Sequence, residues 1–258
     1  MHSLQFKRTL ELVWVKATLN LRSEASVNYL SYAWWVIEPL LHMVVYYIVF
    51  SFLLARGGEN YVAFLLTGLI PWLWFSKTVI HAMGSIINGK QLMNQLHVSK
   101  LFFPLTFIIQ DSIKQVIVFT LLFIFLLVYG MTPSLIWLYS FVIIFIQFLL
   151  IIGCALLAAL ITPFVRDMSF VIPTGLQFVM FCSGIFFSYR DIPIDIQSYF
   201  FLNPMAVILT ALRDVLIDGV APNISQLTYV ALFSVVLILF AVFLYKKLEY
   251  ILPRVVLE

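Results

Sequence analysis

Apolar runs of about twenty residues recur along this chain, each long enough as a helix to cross a hydrocarbon core of about 30 Å. They cover roughly 33–54, 61–83, 104–129, 135–164, 171–187 and 227–245. Hydrocarbon offers no water to unpaired backbone groups, so a lone crossing segment must satisfy them internally, as a helix does. The expectation is an all-α polytopic membrane protein with about six transmembrane helices. Composition argues against a soluble domain of this size. Only 10% of the 258 residues are charged, against roughly 25% in soluble domains, which use them to face water. A net charge of +3 with dispersed basic residues gives no footprint for nucleic acid.

The segments between the runs carry the polarity. Near the start, Phe6, Leu10, Trp14, Ala17 and Leu21 recur at helical spacing, with Lys7, Glu11, Thr18 and Arg22 on an adjacent face. Such a pattern predicts an interface helix over 1–30 lying in the headgroup plane, or else a short helix packed on the body. The charged, amphipathic start does not read as a cleavable signal peptide. The stretch 88–100 is too polar to remain in lipid and can form a short helix, with Gln91, Asn94 and Gln95 on one side and Leu92 and Leu96 on another. The stretch 188–226 is broken by Pro193, Pro204 and Pro222. Its apolar pieces, 199–201 and 205–212, are too short to cross and read as re-entrant or interfacial helices.

Lysine and arginine set the orientation. With both termini inside, the inner segments hold Lys7, Arg8, Lys16, Arg22, Lys90, Lys100, Arg166, Lys246, Lys247 and Arg254, and the outer ones only Arg56, Arg190 and Arg213. Both ends are thus expected in the cytoplasm. Glu38, Lys77, Asp111 and Lys114 fall inside the runs, where each must face protein or water. Asp111 and Lys114, three residues apart, can pair along one helix. Structural pairing, contact with a substrate and an ion pathway all remain open for these four.

Chemistry motifs are few. Gly84-Ser85-Ile86-Ile87-Asn88-Gly89-Lys90 fits the core of a phosphate-binding loop, but Gln91 stands where a serine or threonine should ligand magnesium. The preceding segment is an apolar helix run and not a strand, so the match is read as coincidence. The scattered His2, His42, His81 and His97 lack metal-ligand spacing. Asp191, Asp195, Asp214 and Asp218 form two i,i+4 pairs, read as solvated helix ends. No metal site is expected. Cys154 and Cys182, both within apolar runs, read as small buried hydrophobes.

Aromatic residues make up 17% of the chain, and on the first run they are sorted by face. Tyr32, Trp35, Pro39, His42, Tyr46 and Phe50 follow one side, whereas Ile37, Leu41, Val44 and Ile48 follow the other. Thr174, Gln177, Phe181, Gly184 and Ser188 make a comparable mixed stripe on the fifth. Flat rings with polar tips suit a sugar chain, which stacks its C–H faces and hydrogen-bonds its hydroxyls. They equally suit helix packing or an interfacial belt.

Several short motifs, in order along the chain, resemble those of the membrane subunits of ABC-2 polysaccharide exporters. Leu30-Ser31-Tyr32-Ala33-Trp34 followed by Pro39 is similar to that family's opening of the first span, with Ser31 in place of the usual glycine. Gly68-Leu69-Ile70-Pro71-Trp72, Phe102-Phe103-Pro104, Val165-Arg166-Asp167-Met168, Ser183-Gly184-Ile185-Phe186-Phe187, Leu202-Asn203-Pro204-Met205 and Leu212-Arg213-Asp214 resemble later blocks. The resemblance implies one transmembrane domain over 1–258, with no catalytic residue of its own. It also implies a homodimer working with two copies of a separate ATPase, which would hold ATP and magnesium. The cargo implied is a lipid-linked polysaccharide of the O-antigen, capsule or teichoic acid type, moved across the bacterial inner membrane. Under it, 88–103 would be the region coupling to the ATPase, through Lys90, Gln91, Asn94, Gln95 and Lys100, with Arg166 and Asp167 on the same face. The stretch 188–226 would form an external gate containing Tyr199, Phe200, Asn203, Pro204 and Arg213. Tyr32, Trp35, His42, Tyr46, Phe50, Thr174, Gln177 and Phe181 would line the substrate path. A secondary transporter or channel without an ATPase is the alternative.

Overall fold

The computed structural model describes residues 2–27, 31–53, 60–95, 99–249 and 251–257. Arg56, Leu96 and His97 lie outside the described residues, as do the side chains of Phe6, Lys7, Tyr32, Pro39, Phe50, Asn94 and Gln95. All regular structure among the described residues is helical. In order the helices are α1 (His2–Val27), α2 (Ser31–Tyr47), α3 (Tyr61–Met83), α4 (Ser85–Asn88), α5 (Lys90–Gln95) and α6 (Phe102–Val128). Then follow α7 (Tyr139–Ile161), α8 (Met168–Cys182), α9 (Ile194–Phe200), α10 (Pro204–Leu216), α11 (Ile224–Leu248) and α12 (Leu252–Leu257). A wider π-helical turn, Ile48–Leu53, extends α2, and a 3₁₀ turn, Leu135–Leu138, leads into α7.

Four of these segments are long and apolar enough to cross a membrane: Tyr61–Met83, Phe102–Val128, Leu135–Ile161 and Ile224–Leu248. A fifth arises if α9 and α10, bent by 109° at their junction, count as one broken span. The chain is accordingly a multi-pass membrane protein. The expected fifth run lies earlier than its hydropathy suggested, because α8 stops at Cys182, before the turn at 183–187. That turn contains Gly184, whose φ of +72° is open to glycine at little cost, and a Cβ there would come within 2.8 Å of the Phe200 ring.

The bundle is organised around α3, which packs against α2, α6, α7, α8 and α10. Pro71 lies in its middle and has no N–H to give the helix ladder. The carbonyl this frees is that of Thr67, one turn earlier, while two glutamines from neighbouring helices bond to backbone carbonyls further along. Gln147 Nε2 donates to the Pro71 carbonyl at 2.7 Å and Gln115 Nε2 to the Ile70 carbonyl at 3.4 Å. These bonds tie α6 and α7 to the middle of α3. Along α7 and α11 the contact is long, with the small residues Ala155, Ala159, Ser234 and Ala241 buried. Small side chains let two helix backbones approach closely in lipid. Tyr245 adds a hydrogen bond from its hydroxyl to the Leu156 carbonyl at 3.2 Å.

One expected helix face is corrected. α1 packs along α6 through Val13, Ala17 and Leu21, whereas Leu10 and Trp14, assigned to the same stripe from spacing, are exposed. The reason is that α1 is apolar on more than one side. Leu12, Trp14, Val15 and Leu19 face outward, as suits a helix bedded in a headgroup layer. Polar bonds decide which side meets α6. Asn20 Nδ2 donates to Gln110 Oε1 at 3.0 Å, and Gln110 Nε2 donates in turn to Glu24 Oε1.

Candidate functional site

Two polar clusters lie on α3, centred about thirteen residues apart, or about 20 Å along a helix. The first surrounds Arg213 of α10, which is 7% exposed. Its Nη1 donates to the Gly184 carbonyl at 2.6 Å, and its Nη2 to the carbonyls of Ile185 at 2.9 Å and Phe64 at 3.1 Å. The guanidinium carbon sits 3.5 Å from the centre of the Phe64 ring, within cation–π range. Among the described residues no carboxylate forms an ion pair with it; the carbonyl dipoles and the ring carry the compensation. Gly68 makes room, since a Cβ there would overlap the guanidinium. Three of the motifs noted in the sequence thus meet at one point. Beside it Asn203 caps α10, accepting the Met205 N–H at 3.0 Å and donating to Ser183 Oγ at 2.9 Å, with Pro204 in the first helical turn.

Of the other residues assigned to a gate, Tyr199 is exposed, while the Phe200 ring lies 6.1 Å from Phe187 and 5.3 Å from Phe201. Arg213 itself, assigned to the gate and to the outer basic residues from sequence, is a buried tie between α3, α10 and the 183–187 turn. Nothing in its periodicity announced that. Nearby, Arg190 pairs with Asp218 at 2.8 Å, and Ser188 and Asp191 form a capping box. Two of the four aspartates are therefore bonded within the protein. Among the described residues no cluster of ligands suited to a metal occurs.

The second cluster fills a cleft of about 230 Å³ between α2, α3 and α6. All four charges noted inside the apolar runs line it. Lys77 pairs with Glu38 across the α2–α3 boundary. Asp111 Oδ2 lies 2.7 Å from His81 Nδ1, and Lys114 lies 2.6 Å from Glu24 of α1. The Asp111–Lys114 pairing expected within α6 is present at 3.8 Å, but it is the longest contact in the set. Lys114 also lies 5.5 Å from the centre of the Trp35 ring. Two further cleft residues, Trp74 and Thr78, drew no attention in the sequence. Both are buried, and Trp74 Nε1 and Thr78 Oγ1 have no hydrogen-bond partner.

Of the aromatic stripe of α2, the described side chains are those of Trp35, His42 and Tyr46. All three are half-buried, while Leu41, Val44 and Ile48 are exposed. His42 Nδ1 lies 2.9 Å from the Glu38 carbonyl. The Tyr46 ring packs 4.8 Å from Phe186, and its hydroxyl reaches Met180 Sδ of α8 at 3.9 Å. Tyr46 thus meets α8 at Met180, which is not one of the residues of its mixed stripe. Thr174, Gln177 and Phe181 are exposed, so the α8 stripe forms an open face. Phe181 also lies 5.5 Å from Phe186.

At the other end of α3 from Arg213, α4 and α5 form the expected short helical segment. Lys90 and Gln91 are exposed, but the buried anchor is Met93, not Leu92, which is only half-buried. Residues 84–91 are helical turns continuing from α3, so the phosphate-loop pattern has neither the strand nor the loop that it requires. α12 packs on α5, with Leu252 fully buried. Lys100 is half-buried; desolvation pushes its ammonium below the ordinary lysine value, and Glu249 opposes the shift. Arg166 and Asp167 are exposed on the turn between α7 and α8.

With this geometry in hand, the comparisons with known proteins are specific. Residues 14–217 match the family model of the ABC-2 type transporter. The chain is 26% identical over 250 residues to an O-antigen export system permease protein RfbA from Klebsiella pneumoniae, covering 96% of this chain and 95% of that one. A protein of the same description from Myxococcus xanthus is 23% identical over 213 residues, with 82% of each chain covered. The polysialic acid transport protein KpsM of Escherichia coli is 26% identical over 227 residues, covering 85% of this chain and 86% of that one. The chain belongs to the ABC-2 type transporter family.

Proposed function

We propose that this chain is the transmembrane subunit of an exporter that carries a lipid-linked polysaccharide across the bacterial cytoplasmic membrane. It works as a homodimer with two copies of a separate ATPase. The observation that carries this reading is the similarity over nearly the full length of both chains to a permease named for O-antigen export. In this reading one transmembrane domain covers 1–258, and six spans come from α2 with its π turn, α3, α6, α7, α8 and α11. The bent α9–α10 pair is an external gate and not a crossing. Both termini lie in the cytoplasm, in keeping with the ten-to-three bias of basic residues.

Exposed Lys90 and Gln91, together with exposed Arg166 and Asp167, then offer polar positions to the ATPase. Movement on nucleotide binding would pass through α4 directly into α3, which continues into it at Gly84. The open α8 face and the α2 aromatics supply rings and polar tips for a glycan. The test is genetic. Loss of the chain should remove the surface polysaccharide and leave its lipid-linked precursor inside the cell, and the wild-type gene should restore export. Replacing the ATPase's nucleotide-binding lysine should reproduce the loss. Unchanged surface polysaccharide in the deletion strain would contradict the proposal.

A further inference from the structure

α5 and α12 have six residues each. Helices that short do not hold in water without packing, so what each rests against decides whether it stays formed. α4 is fixed in the body of the bundle. It packs on α3, α6 and α7, with Ser85 and Ile86 buried. At the junction with α5, Gly89 lies so close to α6 that a Cβ there would overlap the Phe103 ring. Past that point the support changes. Apart from α4, which it continues, α5 packs chiefly on α12, and α12 packs chiefly on α5. Leu252 of α12 is fully buried and Met93 of α5 is buried too, both within the continuous hydrophobic core. α12 follows closely on α11, and Ile251 donates its N–H to the Leu248 carbonyl at 3.0 Å. Glu249, at the end of α11, acts on the half-buried Lys100 ammonium just before α6. α11 is itself bound along α7, where the Tyr245 hydroxyl reaches the Leu156 carbonyl.

We propose that α12 positions α5 for the ATPase: it holds exposed Lys90 and Gln91 in the orientation that the ATPase meets, with Leu252 as the positioning residue. α5 is then tied to the membrane bundle twice, through α4 to α3 and through α12 to the α7–α11 pair. The two ties differ in kind. The first is continuous backbone, and the second is side-chain burial, which a substitution can remove without cutting the chain. Movement of α5 on nucleotide binding reaches the α7–α11 pair only through the second. This role rests on the reading of α5 as the segment that meets the ATPase, and adds to it the part that keeps α5 in place.

Hydrogen–deuterium exchange on the full-length chain, paired with its affinity for the ATPase, tests it through Leu252→Ala, Leu252→Met and deletion of 252–258. In Leu252→Ala and in the deletion, amides of α5 should exchange at least about tenfold faster than in the parent. Those of α3 and α7 should keep the parent rate. Both variants should bind the ATPase about tenfold more weakly. Leu252→Met, which keeps the bulk of the side chain, should restore slow exchange and binding together. Unchanged exchange of α5, or ATPase binding as tight as the parent's in both Leu252→Ala and the deletion, would overturn this proposal alone. Faster exchange spread through α3 and α7 would overturn it too, by making Leu252 a support of the whole bundle. A parent chain that binds no ATPase would instead overturn the transport reading, and the role of α12 with it.

Discussion

The two polar clusters on α3 contain similar ingredients and are built to opposite ends. Around Arg213 three backbone carbonyls and an aromatic ring close on one guanidinium, and Gly68 is kept bare to admit it. Around Lys77 and Lys114 the cations hold half-exposed carboxylates that can let go. Buried donors without a bond occur in both clusters, Arg213 Nε in the first and Trp74 Nε1 and Thr78 Oγ1 in the second. A buried charge tied to fixed backbone oxygens has no second state to move into. Ion pairs open to water do. The difference teaches that polarity in a membrane helix is not by itself a sign of function; what matters is whether its partners are fixed backbone or side chains that water can reach.

Mutation should separate the two clusters sharply. Arg213→Ala removes the tie between α3, α10 and the 183–187 turn and leaves a cavity, so the folded state should lose roughly 3 kcal/mol or more. The measurement is the thermal midpoint and monodisperse yield in detergent. A variant as stable as the parent would erase the contrast. Lys114→Gln keeps most of the length of the side chain and removes the charge that pairs with Glu24. The expected loss is about 1 kcal/mol, in the range of partly exposed ion pairs. It should appear as earlier proteolytic cutting within α1 while the rest of the chain stays resistant. Equal protection of α1 would assign its docking to Val13, Ala17 and Leu21 alone. The smallest stability effect belongs to Thr78→Val, because deleting an unbonded buried hydroxyl removes a penalty and not a contact.

A second contrast explains how much of this was legible beforehand. α3 is the least apolar of the four long spans and the most buried, 78% over its most apolar stretch, against 22% for α11. In lipid the outward face must be apolar, so polar side chains gather inside. The long spans could be read within a few residues because run length is local. Tyr61–Met83 matched as expected, and α11 began three residues early, where Asn223 caps it. The face of α1 could not be read, because apolar residues lie on more than one side of it and bonds to Gln110 and Lys114 choose among them. Glu38, Lys77, Asp111 and Lys114 stood out as charges in apolar runs, but their pairing across helices is set by packing that no spacing encodes. Trp74 and Thr78 gave no signal at all. They resemble ordinary interior residues until their missing bonds are seen.

The most direct test of the central claim is reconstitution in vesicles. The chain with its ATPase, given ATP and magnesium, should move a lipid-linked polysaccharide to the far leaflet. Either the chain alone with ATP, or the pair without ATP, should leave the glycan where it began. Vectorial transport by the purified chain without the ATPase would contradict the account.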